Sequence, residues 1–311
     1  MTSYYSALFF TAFLPITVML YGMAPRRFRW AVLLLASYGF FFALSGALIA
    51  FVALSTAVVY ACARMMGANL AEKNRQLATA SSGKREIREA CKRKNRRIVF
   101  AAVVANIGIL AVLKYSGFFG LSLASTLAAF GISIDLSIPS FALPIGISFY
   151  TLMAVSYVVD VYRERTKADK NLGHVALFLA FFPGIMEGPL SRYNDVAPSL
   201  IAGEPLNRKN LYAGTLRIMW GMAKKIIVAD RLNAFVKPVF DNYGSYDGGV
   251  IALAAILYTI QLYCDFSGTM DVALGMGRVF NVTLPENFRQ PFFSRTASEF
   301  WQRWHITLGL W

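Results

Sequence analysis

This chain is poor in histidine, cysteine and negative charge. It has two histidines, His174 and His305, and three cysteines, Cys62, Cys91 and Cys264, in 311 residues. The cysteine count is odd and its spacing matches no metal motif, so neither a disulfide framework nor a metal centre is expected, and no metal ligand is assigned. Cys91 also falls in a basic stretch expected in the cytosol, where thiols stay reduced. Charged residues make up only 15% of the chain, against about 25% in soluble domains. That shortage argues against a water-soluble globule. The first residues lack a basic n-region and a small-residue cleavage site, so 4–23 is read as a retained first span rather than a cleaved signal.

The acidic residues number 17 against 31 basic ones, a formal net charge of +14. Such an excess raises the question of nucleic acid, and the distribution answers it. Eleven basic residues lie in 64–97, "RMMGANLAEKNRQLATASSGKREIREACKRKNRR", and none lies in 115–162. A nucleic-acid binder needs a basic surface that is continuous in space. Lys and Arg confined to alternate loops instead follow the positive-inside pattern of membrane proteins. No nucleic-acid partner is expected; membrane lipid is.

What the chain has in abundance is apolar surface. Apolar residues make up 57% of it, and the mean hydropathy is +0.49. A membrane span needs about 20 mostly apolar residues, and the sequence offers roughly eight such segments. The expected fold class is an all-α polytopic membrane protein, with 1–311 forming a single membrane-embedded domain. Arg26, Arg27 and Arg29 follow the run 4–23 and place that end in the cytoplasm, with the N-terminus outside. Residues 30–63 are too long for one span, and Ser45-Gly46 offers a turn. The basic stretch 64–97 is expected to be a cytoplasmic loop, solvated and partly helical. Residues 98–113 run outward, 116–138 pack at the outer face, and 139–167 return to the basic exit Arg163, Arg165 and Lys167. The localisation implied is a plasma membrane crossed many times.

Two segments depart from that regularity. "HVALFLAFFPGIMEGPLSRYND" (174–195) is apolar but broken by Pro183-Gly184 and Gly188-Pro189. It reads as re-entrant, and irregular backbone at membrane depth survives only when buried in protein or lining a wet cavity. "LYAGTLRIMWGMAKKIIVAD" (211–230) carries Arg217, Lys224 and Lys225, which must face protein, water or head groups.

The last sixty residues carry the chemistry. Asp265 and Asp271 sit in an apolar setting, where a carboxylate is a functional candidate; the plain alternative is that both bond backbone amides at a helix start. Thr296-Ala-Ser-Glu299 matches a capping box, so a helix starts near 297. Glu299 and Arg303 form an i, i+4 pair in the favourable order. Trp301, Trp304, His305 and Leu308 then share one face of that helix. A desolvated histidine stays neutral and can accept a proton. The plain alternative is a core histidine with a satisfied hydrogen bond. His305 is the catalytic candidate, with Asp265 and Trp304 as candidate substrate-binding residues.

Four blocks, "LPIGISFYTLMAVSYVVDVYR" (143–163), "FFPGIMEGPLSRY" (181–193), "QLYCDFSGTMDVALGMG" (261–277) and "PENFRQPFFSRTASEFWQRWHITL" (285–308), resemble the membrane-bound O-acyltransferase family, in its bacterial branch of alginate O-acetyltransferases and teichoic-acid D-alanyl transfer proteins. They occur in family order and cover most of 143–311; the N-terminal half matches only in hydropathy and its basic loop. The resemblance implies tilted transmembrane helices and re-entrant segments around a tunnel. It implies transfer of an acyl group, here acetyl, from a cytosolic thioester donor such as acetyl-CoA or an acyl carrier protein. The acceptor would be an exported cell-surface polysaccharide, reached through a periplasmic or extracellular acyl-acceptor protein. It implies no bound cofactor. His305 matches the histidine of the family's W-H motif. The family's second histidine lies in a later helix beyond this motif and is the stronger base there, which leaves His305 a positioning or shared role. Only His174 remains here, and it does not match, so the domain is expected to be incomplete at its C-terminus. Two departures, Glu187 where relatives carry a small residue and Thr269-Met270 inside the third block, bear on the substrate. D-alanyl transfer to teichoic acid is the close alternative, and an inactive scaffold a further one. A transporter or channel would show paired broken segments in two halves, which the sequence does not.

Overall fold

The computed structural model describes residues 5–130 and 143–311. Among them the fold is all-α; the extended pairing is limited to an isolated antiparallel bridge between Phe288 and Trp304. Three helical stretches are long and apolar enough to cross a membrane: Arg26–Thr79, Lys84–Leu127 and Gly248–Val279. Phe9–Met23 and Ile147–Tyr162 are apolar but shorter. Phe42, Phe100 and Phe118 are each more than 60% exposed, at 61%, 68% and 66%. Apolar surface on that scale is stable against lipid tails and not against water, so the chain is a membrane protein.

The chain divides into two compact units, one joining Met1–Ala36 to Phe181–Trp311 and the other comprising Ser37–Ala180. Helix α1 (Leu14–Met23) follows a π turn at Phe9–Phe13, and α2 (Arg29–Ser45) follows the arginine-rich turn after it. The expected break at Ser45-Gly46 is present. Gly46 takes a left-handed φ of 53° and opens a short 3₁₀ turn before α3 (Ile49–Thr79).

In the second unit α3 packs on α4 (Lys84–Ala129), and both pack on α5 (Ile147–Tyr162). The basic stretch 64–97 is therefore not a separate loop. It forms the facing ends of α3 and α4, joined by a tight turn at 80–83. Good helix formers fill both flanks, and the Ser-Ser-Gly at the turn is the breaker. Polar rungs fix the α3–α4 register: Ser55 Oγ donates to Asn106 Oδ1 at 2.5 Å, and Asn69 Nδ2 to Asn95 Oδ1 at 2.7 Å. The span expected at 98–113 and the start of the 116–138 segment are one continuous helix, because no proline interrupts 84–129 and isolated glycines are tolerated within a helix. Residues 131–138, the first residues of the returning segment (139–142) and Tyr4 of the first span lie outside the described residues.

His174 sits near the start of α6 (Leu172–Ala180), with Nδ1 3.3 Å from Asp169 Oδ2 and Nε2 3.2 Å from Asn171 Nδ2. Both ring nitrogens are engaged in holding the turn before the helix, a structural role.

In the first unit, the apolar segment after His174 is broken as its Pro-Gly pairs require. α7 (Phe182–Ile185) is one turn, 186–192 is extended or turned, and α8 (Tyr193–Ile201) follows. The principal pairing is α9 (Arg208–Met222) against α11 (Gly248–Val279), with α10 (Asp230–Asp241) also on α11. Glycines allow that approach. A methyl group at Gly221 would lie 2.5 Å from the Gly268 carbonyl oxygen, and one at Gly214 2.7 Å from that of Gly275. Two glycine pairs, each one heptad apart on its helix, bring the backbones together, as small residues do in lipid.

Candidate active site

His305 stands at a break between two helices. Thr296 caps α12 (Ala297–Arg303) by accepting from Glu299 N at 3.1 Å, and Arg303 pairs with Glu299 at 2.5 Å. Both features match the sequence reading, except that Glu299 reaches back to the amide of Arg295, at 2.7 Å, rather than to that of Thr296. The helix then stops short of His305. Trp304 is extended, His305 is left-handed with φ 47°, and α13 (Ile306–Leu310) begins anew. The expectation that Trp301, Trp304, His305 and Leu308 share one helical face is therefore corrected.

The cause is a competing backbone partner. Arg289 N donates to Arg303 O at 3.0 Å, Ile306 N donates to Asn287 O at 3.0 Å, and Phe288 bridges Trp304. These bonds from the 287–289 loop replace the helical ones that would have run through residue 304. A non-glycine residue in the left-handed region carries strain that the surroundings must hold in place, and such residues concentrate at functional sites.

Asn287 organises the site. Its side chain is fully buried. Its Oδ1 accepts from Thr307 Oγ1 at 2.9 Å, from Thr307 N at 3.0 Å and from His305 Nδ1 at 3.2 Å. The Thr307 hydroxyl in turn accepts from Leu190 N at 3.1 Å, which ties the broken 181–191 segment to this corner. The donor logic fixes the histidine. A backbone N–H can only donate, so the Asn287 atom facing it is the amide oxygen, and the imidazole nitrogen on that oxygen must be Nδ1–H. In the neutral ring Nε2 then carries the lone pair. Phe266 packs edge-on against the ring at 4.9 Å. Burial pushes the imidazole below its ordinary range, which keeps it neutral near pH 7. The arrangement presents a neutral proton acceptor at Nε2, held by a hydrogen bond on the far side of the ring.

Trp304 is a neighbour of this site in sequence but packs away into an aromatic cluster. It stacks on Phe300 at 5.6 Å and meets Phe288 at 5.1 Å and Tyr263 at 6.1 Å. Trp301 is 65% exposed.

Asp265 and Asp271 lie within α11, away from its start, so the reading of both as bonding backbone amides there is also corrected. They pair instead with cations. Lys225 reaches Asp265 at 2.6 Å, and Lys224 reaches Asp271 at 2.5 Å. Arg217 bridges Asp271, at 2.9 Å, to Glu286, at 2.5 Å. The two lysines belong to a π turn, Ala223–Ala229. Its wider turn is a local departure of the kind found at functional sites, and here it lets adjacent residues serve carboxylates on different turns of α11. This network explains how three cations are tolerated in an apolar segment. Asp265 pairs with Lys225 rather than with His305.

The sequence reading missed Asn287 and the glycine pairs. Asn287 lies inside the quoted block at 285–308, but no local pattern marks a buried asparagine. The heptad spacings Gly214/Gly221 and Gly268/Gly275 were a readable signal. Among the described residues no group of three or more His, Cys, Asp and Glu side chains is placed to hold a metal ion.

No family model matches the chain. Individual relatives do. The probable alginate O-acetylase AlgI of Pseudomonas aeruginosa is 34% identical over 307 residues, covering 98% of this chain and 55% of that protein. The peptidoglycan O-acetyltransferase of Helicobacter pylori is 31% identical over 233 residues, 67% of this chain and 43% of that protein. The teichoic acid D-alanyltransferase of Streptococcus thermophilus is 29% identical over 174 residues, 54% of this chain and 41% of that protein. The chain spans about half the length of the curated relatives it matches.

Proposed function

The chain belongs to the membrane-bound O-acyltransferase family, and from that premise we propose that it serves transfer of an acetyl group from a cytosolic thioester to a hydroxyl of an exported polysaccharide. The donor class is acetyl-CoA or an acyl carrier protein, and the acceptor is reached directly or through a partner outside the membrane. The observation that carries this reading is the His305 ring, fixed through Nδ1 by Asn287 with Nε2 left as an acceptor. In the transfer step the hydroxyl oxygen forms a bond to the thioester carbonyl carbon and the carbon–sulfur bond breaks. His305 Nε2 accepts the hydrogen bond of the attacking hydroxyl and holds it in line. The hydroxyl proton passes to the imidazole and leaves with the thiolate, so the ring ends neutral. A positioned base of this kind contributes about 10²–10⁴-fold.

Acetyl is preferred to D-alanyl on the extent of the match. Likeness to the alginate O-acetylases runs over 98% of this chain, whereas that to the D-alanyltransferases covers 54%. The test is deletion of the gene, followed by measurement of O-acetyl groups on exported polysaccharide and of D-alanine esters on the cell surface. The proposal expects loss of acetyl with D-alanine unchanged; the reverse result removes it.

A further inference from the structure

The second unit carries a groove of about 670 Å³ between α4 and the end of α5. One end is lined by Arg93, Arg96, Arg97 and Arg163, and the other by apolar side chains that include Val103 and Val159. The first three arginines recur at i, i+3 and i+4 and share one face of α4. Arg163 completes the set from just past the last residue of α5.

The charge at this end is not matched from within. Among the described residues none of the four arginines makes an ion pair, and the nearby carboxylates are engaged elsewhere. Glu89 pairs with Arg85, Glu164 with Lys73, and Asp160 with Arg165. A merely solvated helix face would not need the other half of the groove. Its floor lies where α4 changes from basic to apolar, next to Phe100, which is 68% exposed. The apolar part of that helix is hydrophobic enough to cross a membrane, and only 17% of its most apolar window is buried. The arginines therefore sit at the level of the head groups and the valines at the level of the first acyl carbons.

We infer that this groove binds one anionic phospholipid, with its phosphate on the four arginines and an acyl chain along the valines. A basic pocket between spans at the membrane surface is suited to such a headgroup. A soluble phosphate would gain nothing from the apolar floor, and a neutral lipid nothing from the arginines. A lipid with two phosphate charges matches the four cations best. The site is independent of the acyl-transfer reading.

The test is native mass spectrometry of the purified full-length protein in detergent, titrated separately with cardiolipin, phosphatidylglycerol and phosphatidylcholine. The wild-type protein should retain one cardiolipin, bind phosphatidylglycerol more weakly and show no saturable phosphatidylcholine. The double variant Arg97→Gln, Arg163→Gln should lose about tenfold or more in cardiolipin affinity. Arg75→Gln with Lys84→Gln removes the same charge near the 80–83 turn and should leave affinity unchanged. Val103→Asn should weaken lipid binding with all four arginines present, and Arg163→Lys should retain most of it. Equal losses in the two double variants would reduce the effect to bulk electrostatics and overturn the site. Displacement of cardiolipin by millimolar inorganic phosphate or free coenzyme A would assign the groove to a soluble anion and overturn it as well. Circular dichroism melting of each variant separates lost binding from lost folding.

Discussion

Replacing Asn287 by aspartate isolates what holds His305. Three donors converge on Asn287 Oδ1, two from Thr307 and one from His305 Nδ1. An aspartate there would be ionised despite full burial, because hydrogen bonds to a carboxylate favour its charged form. It would accept the same three bonds, so the tautomer and the left-handed turn should persist. The change is a full negative charge 3.2 Å from the ring nitrogen. At an effective dielectric of about 20 that pair attracts by at most ~5 kcal/mol. Solvent access to the half-buried ring, and the sharing of the charge among three donors, reduce the effect to the roughly 1–3 pH units typical of a carboxylate neighbour. The sign follows from the wild-type state. Burial holds the imidazole below its ordinary range, so Nε2 keeps its lone pair as pH falls from neutral until that lowered value is passed. Asn287→Asp stabilises the imidazolium, and the lone pair is then lost at a higher pH. The assay is NMR of protein carrying ring ¹⁵N-labelled histidine. With only two histidines in the chain, a His174→Asn background leaves one ring to follow. The wild-type ring should titrate below free histidine and show protonated Nδ1; the aspartate variant should titrate above the wild type with the same tautomer. Identical titrations, or protonated Nε2 in the wild type, would refute the role given to Asn287.

Other outcomes follow from the packing. Gly221→Val places side-chain atoms against the Gly268 carbonyl and should cost about 1–3 kcal/mol or more, read as a lower melting midpoint in detergent; an unchanged midpoint would contradict the close α9–α11 approach. Asp271→Ala leaves the part-buried Lys224 and Arg217 without their shared partner, a loss that should fall below the about 3–5 kcal/mol of a fully buried pair because Arg217 keeps Glu286 and Lys224 keeps Ser267, and Lys224→Met combined with Asp271→Leu should recover part of it; no recovery would mean that the pair is not the cause. If the basic ends of α3 and α4 lie in the cytoplasm, Cys91 should resist a membrane-impermeant maleimide added to intact cells; ready labelling would reverse the orientation.

What the sequence disclosed was local. The break at Gly46, the cap at Thr296, the Glu299–Arg303 pair and the Pro-Gly interruptions after His174 each depend on residues a few positions apart, and each is present in the fold. His305 stood out through its rarity and its motif. What the sequence concealed depends on distant partners. Nothing between 297 and 308 breaks a helix, so only the 287–289 loop, folding back to take the backbone bonds, could end α12 at Arg303. Asp265 and Asp271 read as ambiguous carboxylates because their cations are distant in sequence, Arg217 on α9 and the two lysines in a π turn that periodicity does not encode. The basic stretch at 64–97 read as a partly helical loop, because charge density says where a segment lies and not how far its helices extend.

A role for His305 in acyl transfer is decided by restoring a deletion strain with the wild-type gene, His305→Ala or His305→Gln. The readouts are acetyl content of the exported polysaccharide and the amount of inserted protein. Insertion should be normal in all three. Acetylation should be abolished in the alanine variant and nearly so in the glutamine variant, whose amide oxygen can accept a hydrogen bond but cannot take the proton at neutral pH. Wild-type acetylation by the alanine variant would return His305 to the role of a core histidine with a satisfied hydrogen bond.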